Sequence, residues 1–125
     1  NELNLVAEHD GYKNSFNLLH KRHLVCNSNG LVITDTIKVK DALSRQLSSN
    51  LHFSENCIVE ITSDSSATIN LKDGQQLYFT VINALYTLER MEYSQNYNEL
   101  KKGTRLSMSP ISENAAIIYT ITIQV

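Results

Sequence analysis

Four adjacent residues, His9-Asp10-Gly11-Tyr12, and a later group, His20-x-Arg22 with Asp35 beyond it, hold the side chains of this sequence best suited to chemistry. Histidine, aspartate and tyrosine are residue types of proton transfer and metal binding, and an arginine on an apolar surface is either a ligand clamp or half of an ion pair. Spacing argues against a metal. His20 and His23 point to opposite faces of a strand, and His9 and Asp10 face apart unless the turn at Gly11 swings one of them round. No metal or other cofactor is expected. Cys26 and Cys57 stand in neither a metal-ligand spacing nor a Cys-x-x-Cys motif. They read as two small buried apolar side chains rather than a disulfide, so they do not settle the redox compartment.

The elements that must position these groups are strands. Asn27-Ser28-Asn29-Gly30 joins Leu18–Cys26 to Leu31–Val39, and either a two- or a four-residue loop keeps Leu18, Leu24 and Cys26 on the face of Leu31, Ile33 and Ile37. That face also carries His20, Arg22 and Asp35. The four-residue loop sets Arg22 directly across from Asp35 and the two-residue loop sets it on the diagonal. In both registers a guanidinium meets a carboxylate on a mostly apolar surface, where either ion left unpaired would be costly. Arg22 and Asp35 are therefore read as a structural ion pair that fixes register, with a substrate-binding arginine as the alternative.

Upstream, Leu3, Leu5, Ala7 and His9 share one face, so the opening segment reads as a core strand running into a turn. In that turn Gly11 would permit an unusual dihedral, Asp10 would accept backbone donors, and Tyr12 would pack with its hydroxyl satisfied. Downstream, Lys72-Asp73-Gly74 as a three-residue loop with a left-handed glycine sets Ile69 opposite Leu77 and Ala67 opposite Phe79; a one-residue slip would invert both rows. Leu43, Leu47 and Leu51 recur at helical spacing, yet Leu47, Leu51 and Phe53 also share a strand face, and a strand over Leu47–Phe53 is preferred. CIVEI, ATINL and LYFTVINALYTL are rich in β-branched and aromatic residues, and from Ala115 to Val125 the apolar residues Ile117, Tyr119, Ile121, Ile123 and Val125 alternate with polar ones. The expectation is an all-β chain: a two-layer antiparallel sandwich of roughly eight to ten strands, with residues 1–125 as a single domain.

Composition limits the partners. Eleven Lys and Arg against thirteen Asp and Glu leave a net charge of −2, with no run of one sign to track a nucleic acid or an anionic bilayer. No apolar run approaches the ~20 residues of a spanning helix. Neither nucleic acid nor membrane is expected as a partner. The first residue is Asn1, which suggests a segment of a longer protein.

The motifs taken in order resemble a known family. His9-Asp10-Gly11-Tyr12, then His20-x-Arg22, a short turn and an apolar strand ending at Asp35, is similar to the C-terminal part of the heparinase II/III-like polysaccharide lyases. Leu51-His52-Phe53-Ser54 resembles the strand end that follows there, and Glu92-Tyr93-Ser94-x-x-Tyr97 resembles a late Tyr-Ser-x-x-Tyr-Gly stretch, with Asn98 where glycine is usual. The resemblance implies a larger enzyme in which an α/α toroid joins a β-sandwich. Such enzymes cleave uronic-acid-containing glycans by β-elimination: a base takes the proton beside the carboxylate and an acid protonates the departing oxygen. The family's catalytic and metal-binding residues belong to the toroid and the earliest sandwich strands, ahead of this segment. The resemblance accordingly transfers no catalytic, cofactor or metal residue onto this chain.

What it implies instead is a scaffold that meets an acidic polysaccharide through its parent. His9, Asp10 and Tyr12 are candidate contacts with the glycan or with the upstream toroid. Tyr93 and Tyr97 would share a strand face and are read as core. Parted from its toroid, the piece would expose the face that packed there and would be open to self-association. The family suggests a periplasmic or extracellular location. Two other classes stay open: an autonomous carbohydrate-binding module, marked by exposed aromatic rings, and an interaction domain with an apolar docking face.

Overall fold

A computed structural model of the chain describes residues 1–39, 47–111 and 117–123. Ten strands and one short helix follow in the order β1 (Leu3–His9), α1 (Lys13–Phe16), β2 (Leu18–Asn27), β3 (Gly30–Val39), β4 (Ser49–Phe53), β5 (Cys57–Ser63), β6 (Ser66–Leu71), β7 (Gln76–Ile82), β8 (Ala84–Tyr93), β9 (Lys101–Pro110) and β10 (Ile117–Ile123). An antiparallel seven-stranded sheet has the order β1-β2-β3-β10-β7-β6-β5, and an antiparallel three-stranded sheet has the order β4-β9-β8. The expected all-β sandwich is the observed architecture.

Period-two patterning builds the core between the layers. Ile33, Val59, Ala67, Ile69, Phe79 and Val81 line the inner face of the large sheet and meet Ala84, Leu106 and Met108 of the small one. Phe79, fully buried, meets the Tyr86 ring edge-on at 5.8 Å across the layers. The Tyr86 hydroxyl lies 2.6 Å from the carbonyls of both Ser63 and Ser66, so its single proton fastens the small sheet to the β5–β6 hairpin. Burial and the Asp64 charge nearby raise the pKa of this phenol, while the bond to Ser66 opposes them. Asn83, with φ 63, marks the corner where the chain leaves the large sheet after Ile82 and enters the small one at Ala84.

Both turns that test register are resolved. Gly74 has φ 87, and Ala67 pairs with Phe79 and Ile69 with Leu77, as the three-residue loop requires. In the other hairpin pairing runs to Asn27 and Gly30, so only Ser28 and Asn29 are unpaired, and this two-residue loop has the register expected of the four-residue one, with Arg22 directly across from Asp35. Leu47 precedes β4, which begins at Ser49. Leu43, Ala115, Gln124 and Val125 lie outside the described residues. Cys26 and Cys57 are free and half-buried, and among the described residues no helix is long and apolar enough to cross a membrane.

One expectation fails. β1 is not a core strand: all its residues are exposed, Leu3 by 60% and Leu5 by 55%. The reason is width. At ~4.8 Å per strand spacing, seven strands span about 29 Å between outer axes and three span about 10 Å, so the small sheet cannot cover the large one. Register puts Leu5 beside Leu24 and Leu24 beside Ile33 in one cross-strand row. The apolar alternation of β1 thus names its inner face correctly, but that face overhangs the second layer.

Candidate functional site

Asp35, in the middle of β3, is the only polar residue among the described ones to be fully buried, at 2% exposure. Its carboxylate accepts from Arg22 Nε at 2.7 Å and Arg22 Nη2 at 2.8 Å, a bidentate fork that the direct register makes possible. His20 Nε2 stands 2.9 Å from Oδ1, and Ser49 Oγ donates to Oδ2 at 3.0 Å. His20 is two residues from Arg22 on the same face of β2, so it reaches Asp35 on the diagonal. Ser49 arrives from the small sheet, and the carboxylate therefore ties the two layers together. Burial by itself would raise the Asp35 pKa; the bonds from Arg22, His20 and Ser49 outweigh it and hold the group below the usual carboxylate value. With four donors around it, this anion has no lone pair to spare for taking a proton from a substrate.

This cluster forms the wall of a half-open cleft of about 830 Å³. Leu18, His20 and Arg22 of β2, Asp35 and Ile37 of β3, and Leu47–Asn50 line it, and Tyr12 and Phe16 close one side. Those two rings are placed by a short helical turn. The Lys13 N–H donates to the Asp10 carbonyl at 2.8 Å and the Phe16 N–H to the Tyr12 carbonyl at 2.9 Å; Asn17, left-handed at φ 52, ends the turn and returns the chain to β2. His9 and Tyr12 meet edge-on at 5.3 Å, and Tyr12 lies 6.3 Å from the Phe16 ring.

The His9–Tyr12 turn differs from expectation in three ways. Gly11 is not among the positive-φ residues; a Cβ there would stand 2.4 Å from His9 Cε1, so glycine supplies room for the imidazole rather than a special dihedral. Asp10 accepts its backbone donor with its carbonyl, not its carboxylate. Tyr12 is 48% exposed at the cleft rim instead of packed in the core. Of the three candidate contacts only Tyr12 lines the cleft; His9 stands behind its ring and Asp10 remains in the turn. Tyr93 and Tyr97 do not share a strand, since β8 ends at Tyr93. The Tyr93 hydroxyl accepts the Glu55 N–H at 3.3 Å, and Tyr97 is 94% exposed, so the core reading fails for it. Among the described residues no three His, Cys, Asp or Glu side chains gather to hold a metal ion.

Sequence reasoning did not single out Phe16, Ser49 or Asn50. Phe16 needed the helical turn to be foreseen, and Ser49 and Asn50 reach the cleft only because the sheets stack. His20 carried a readable signal, because the register that faces Arg22 with Asp35 also brings His20 to the diagonal.

Comparison with known proteins bears on this geometry. A family model described as Heparinase II/III-like, C-terminal, matches residues 1–121. The chain belongs to that family. Solved structures similar to this heparinase II/III-like chain include a heparan sulfate lyase HepC from Pedobacter heparinus, with a TM-score of 0.71 and 16% identity, and a heparinase III described as the BT4657 gene product, with a TM-score of 0.69 and 22% identity. Each likeness covers 98% of this chain but only 20% and 19% of the respective solved chain, so the heparinase II/III-like chain spans about a fifth of their length. None of the curated proteins compared with it matches.

Proposed function

We propose that this chain is the C-terminal β-sandwich of a larger polysaccharide lyase, one domain over residues 1–125 that serves as scaffold while the rest of the parent performs β-elimination on a uronic-acid-containing glycan. The observation that carries the reading is the family match over residues 1–121, with a shared fold over 98% of the chain in proteins about five times longer. The chemistry of the cluster agrees: Asp35 is ionised, buried and saturated with donors, which suits bracing and not proton abstraction. The exposed inner face of β1 supports docking onto an upstream α/α toroid, with His9, Asp10 and Tyr12 beside that contact or the glycan. Without the toroid the same face favours self-association. An acidic polysaccharide as the parent's substrate points to the periplasm or the exterior. The test is the full-length protein with a panel of uronate polymers. Elimination creates a double bond conjugated to the carboxylate, which absorbs in the ultraviolet; absence of that product with every uronate polymer overturns the reading.

A further inference from the structure

We propose that Asn29, at the tip of the β2–β3 hairpin, is a modification site at which water converts the side-chain amide to aspartate and isoaspartate without an enzyme. The inference is independent of the lyase reading. Asn29-Gly30 is the one Asn-Gly pair in the sequence. Every other asparagine is followed by a residue whose side chain crowds its backbone nitrogen, whereas glycine, with no Cβ, leaves that nitrogen open. The fold itself requires this glycine: Gly30 has φ 147, a conformation that other residues rarely adopt. Ser28 and Asn29 are exposed and stand outside the strand pairing. The Asn29 N–H donates to Asn27 Oδ1 at 2.9 Å, and the Ser28 hydroxyl lies 3.5 Å from Asn29 Oδ1, the oxygen of the group under attack.

The Gly30 nitrogen bonds to Asn29 Cγ, the Cγ–Nδ2 bond breaks, and ammonia leaves with the proton from Gly30, giving a cyclic imide. Water then opens the imide. Addition at Cγ yields aspartate; addition at the backbone carbonyl yields isoaspartate, whose main chain runs through the side chain and is one carbon longer. Pairing of Asn27 with Gly30 closes the turn, so attack waits on opening of that last pair, at the low-stability end of the hairpin. Either product adds one negative charge to the net −2. The isoaspartate does more, because it lengthens the two-residue turn whose register puts Arg22 across from Asp35.

The experiment incubates the intact protein in mildly alkaline buffer and follows the peptide that spans Asn29 by mass spectrometry, with its isoaspartate counted by enzymatic methyl transfer. Asn29 is expected to lose its amide at least about tenfold faster than any other asparagine of the chain. Asn29→Gln, which would have to close a larger ring, should leave that peptide unconverted over the same interval. The isoaspartate form is then purified by ion exchange, and hydrogen exchange across residues 18–39 reads the consequence. Amides of the hairpin should exchange about five- to tenfold faster than in the parent, while Asn29→Asp, which carries the charge alone, should stay within about twofold. Faster amide loss at another asparagine overturns the site. An isoaspartate form that exchanges like the parent, or like Asn29→Asp, overturns its link to the hairpin register.

Discussion

Arg22→Ala removes two of the four hydrogen bonds on a carboxylate that is 2% exposed. Breaking a buried ion pair costs about 3–5 kcal/mol, because the remaining charge stays out of water. Two features lower that figure here. The Arg22 side chain is 40% exposed, so water can enter the space it leaves and part of the attraction is already screened. His20 and Ser49 still donate to Asp35. About 2–3 kcal/mol is the result. With an unfolding entropy of about 2.1 cal/mol/K per residue, a chain of 125 residues loses about 8–11 °C of melting temperature. Scanning calorimetry on parent, Arg22→Ala and the double variant Arg22→Met with Asp35→Leu reads the effect. The double variant should recover most of the loss, since an apolar pair leaves no ion stranded. A single variant melting within about 2 °C of the parent refutes the reasoning, because Asp35 would then not depend on the guanidinium.

Other consequences follow from the same packing. A Cβ at Gly103 would stand 2.4 Å from the Phe53 carbonyl oxygen, so Gly103→Ala must push β4 from β9 and should lower the urea midpoint by the equivalent of about 1–3 kcal/mol; an unchanged midpoint contradicts the close approach. Tyr86→Phe deletes the hydroxyl that holds the β5–β6 hairpin and should cost about 1 kcal/mol by the same assay, with no loss counting against the fastening role. The Asp35 pKa lies below its ordinary value of 3.8, so the folded state binds that proton less readily than the unfolded chain. The stability it contributes is complete above 3.8 and is lost as pH falls below that value through the folded pKa. Urea midpoints measured down that acid range should fall less steeply in Asp35→Asn than in the parent, and parallel curves would contradict the linkage.

Much of the sandwich is legible because side-chain alternation and turn chemistry agree. Gly74 fixes the β6–β7 register, and a one-residue slip would put the apolar rows of Ala67 and Ile69 and of Leu77 and Phe79 on opposite faces. The Arg22–Asp35 contact is legible for the same reason. Where the reading fails, the deciding information is not local. Leu3 and Leu5 alternate as a core strand should, and only the unequal widths of the two sheets expose them. Tyr12 looks like a buried tyrosine beside a turn, but the helical turn through Phe16 carries it to the cleft rim. Tyr93 and Tyr97 share a parity that loses its meaning once β8 stops between them. The cleft depends on Ser49 and Asn50 arriving from the second layer, which no spacing within β2 or β3 announces.

The proposed division of labour makes this sandwich a scaffold and leaves bond cleavage to the rest of the parent. The direct measurement places the isolated chain and the full-length protein side by side on a uronate polymer and follows the ultraviolet absorbance of the unsaturated product. Product from the full-length protein and none from the chain alone is the predicted result. Sustained turnover by the isolated 125 residues would contradict it.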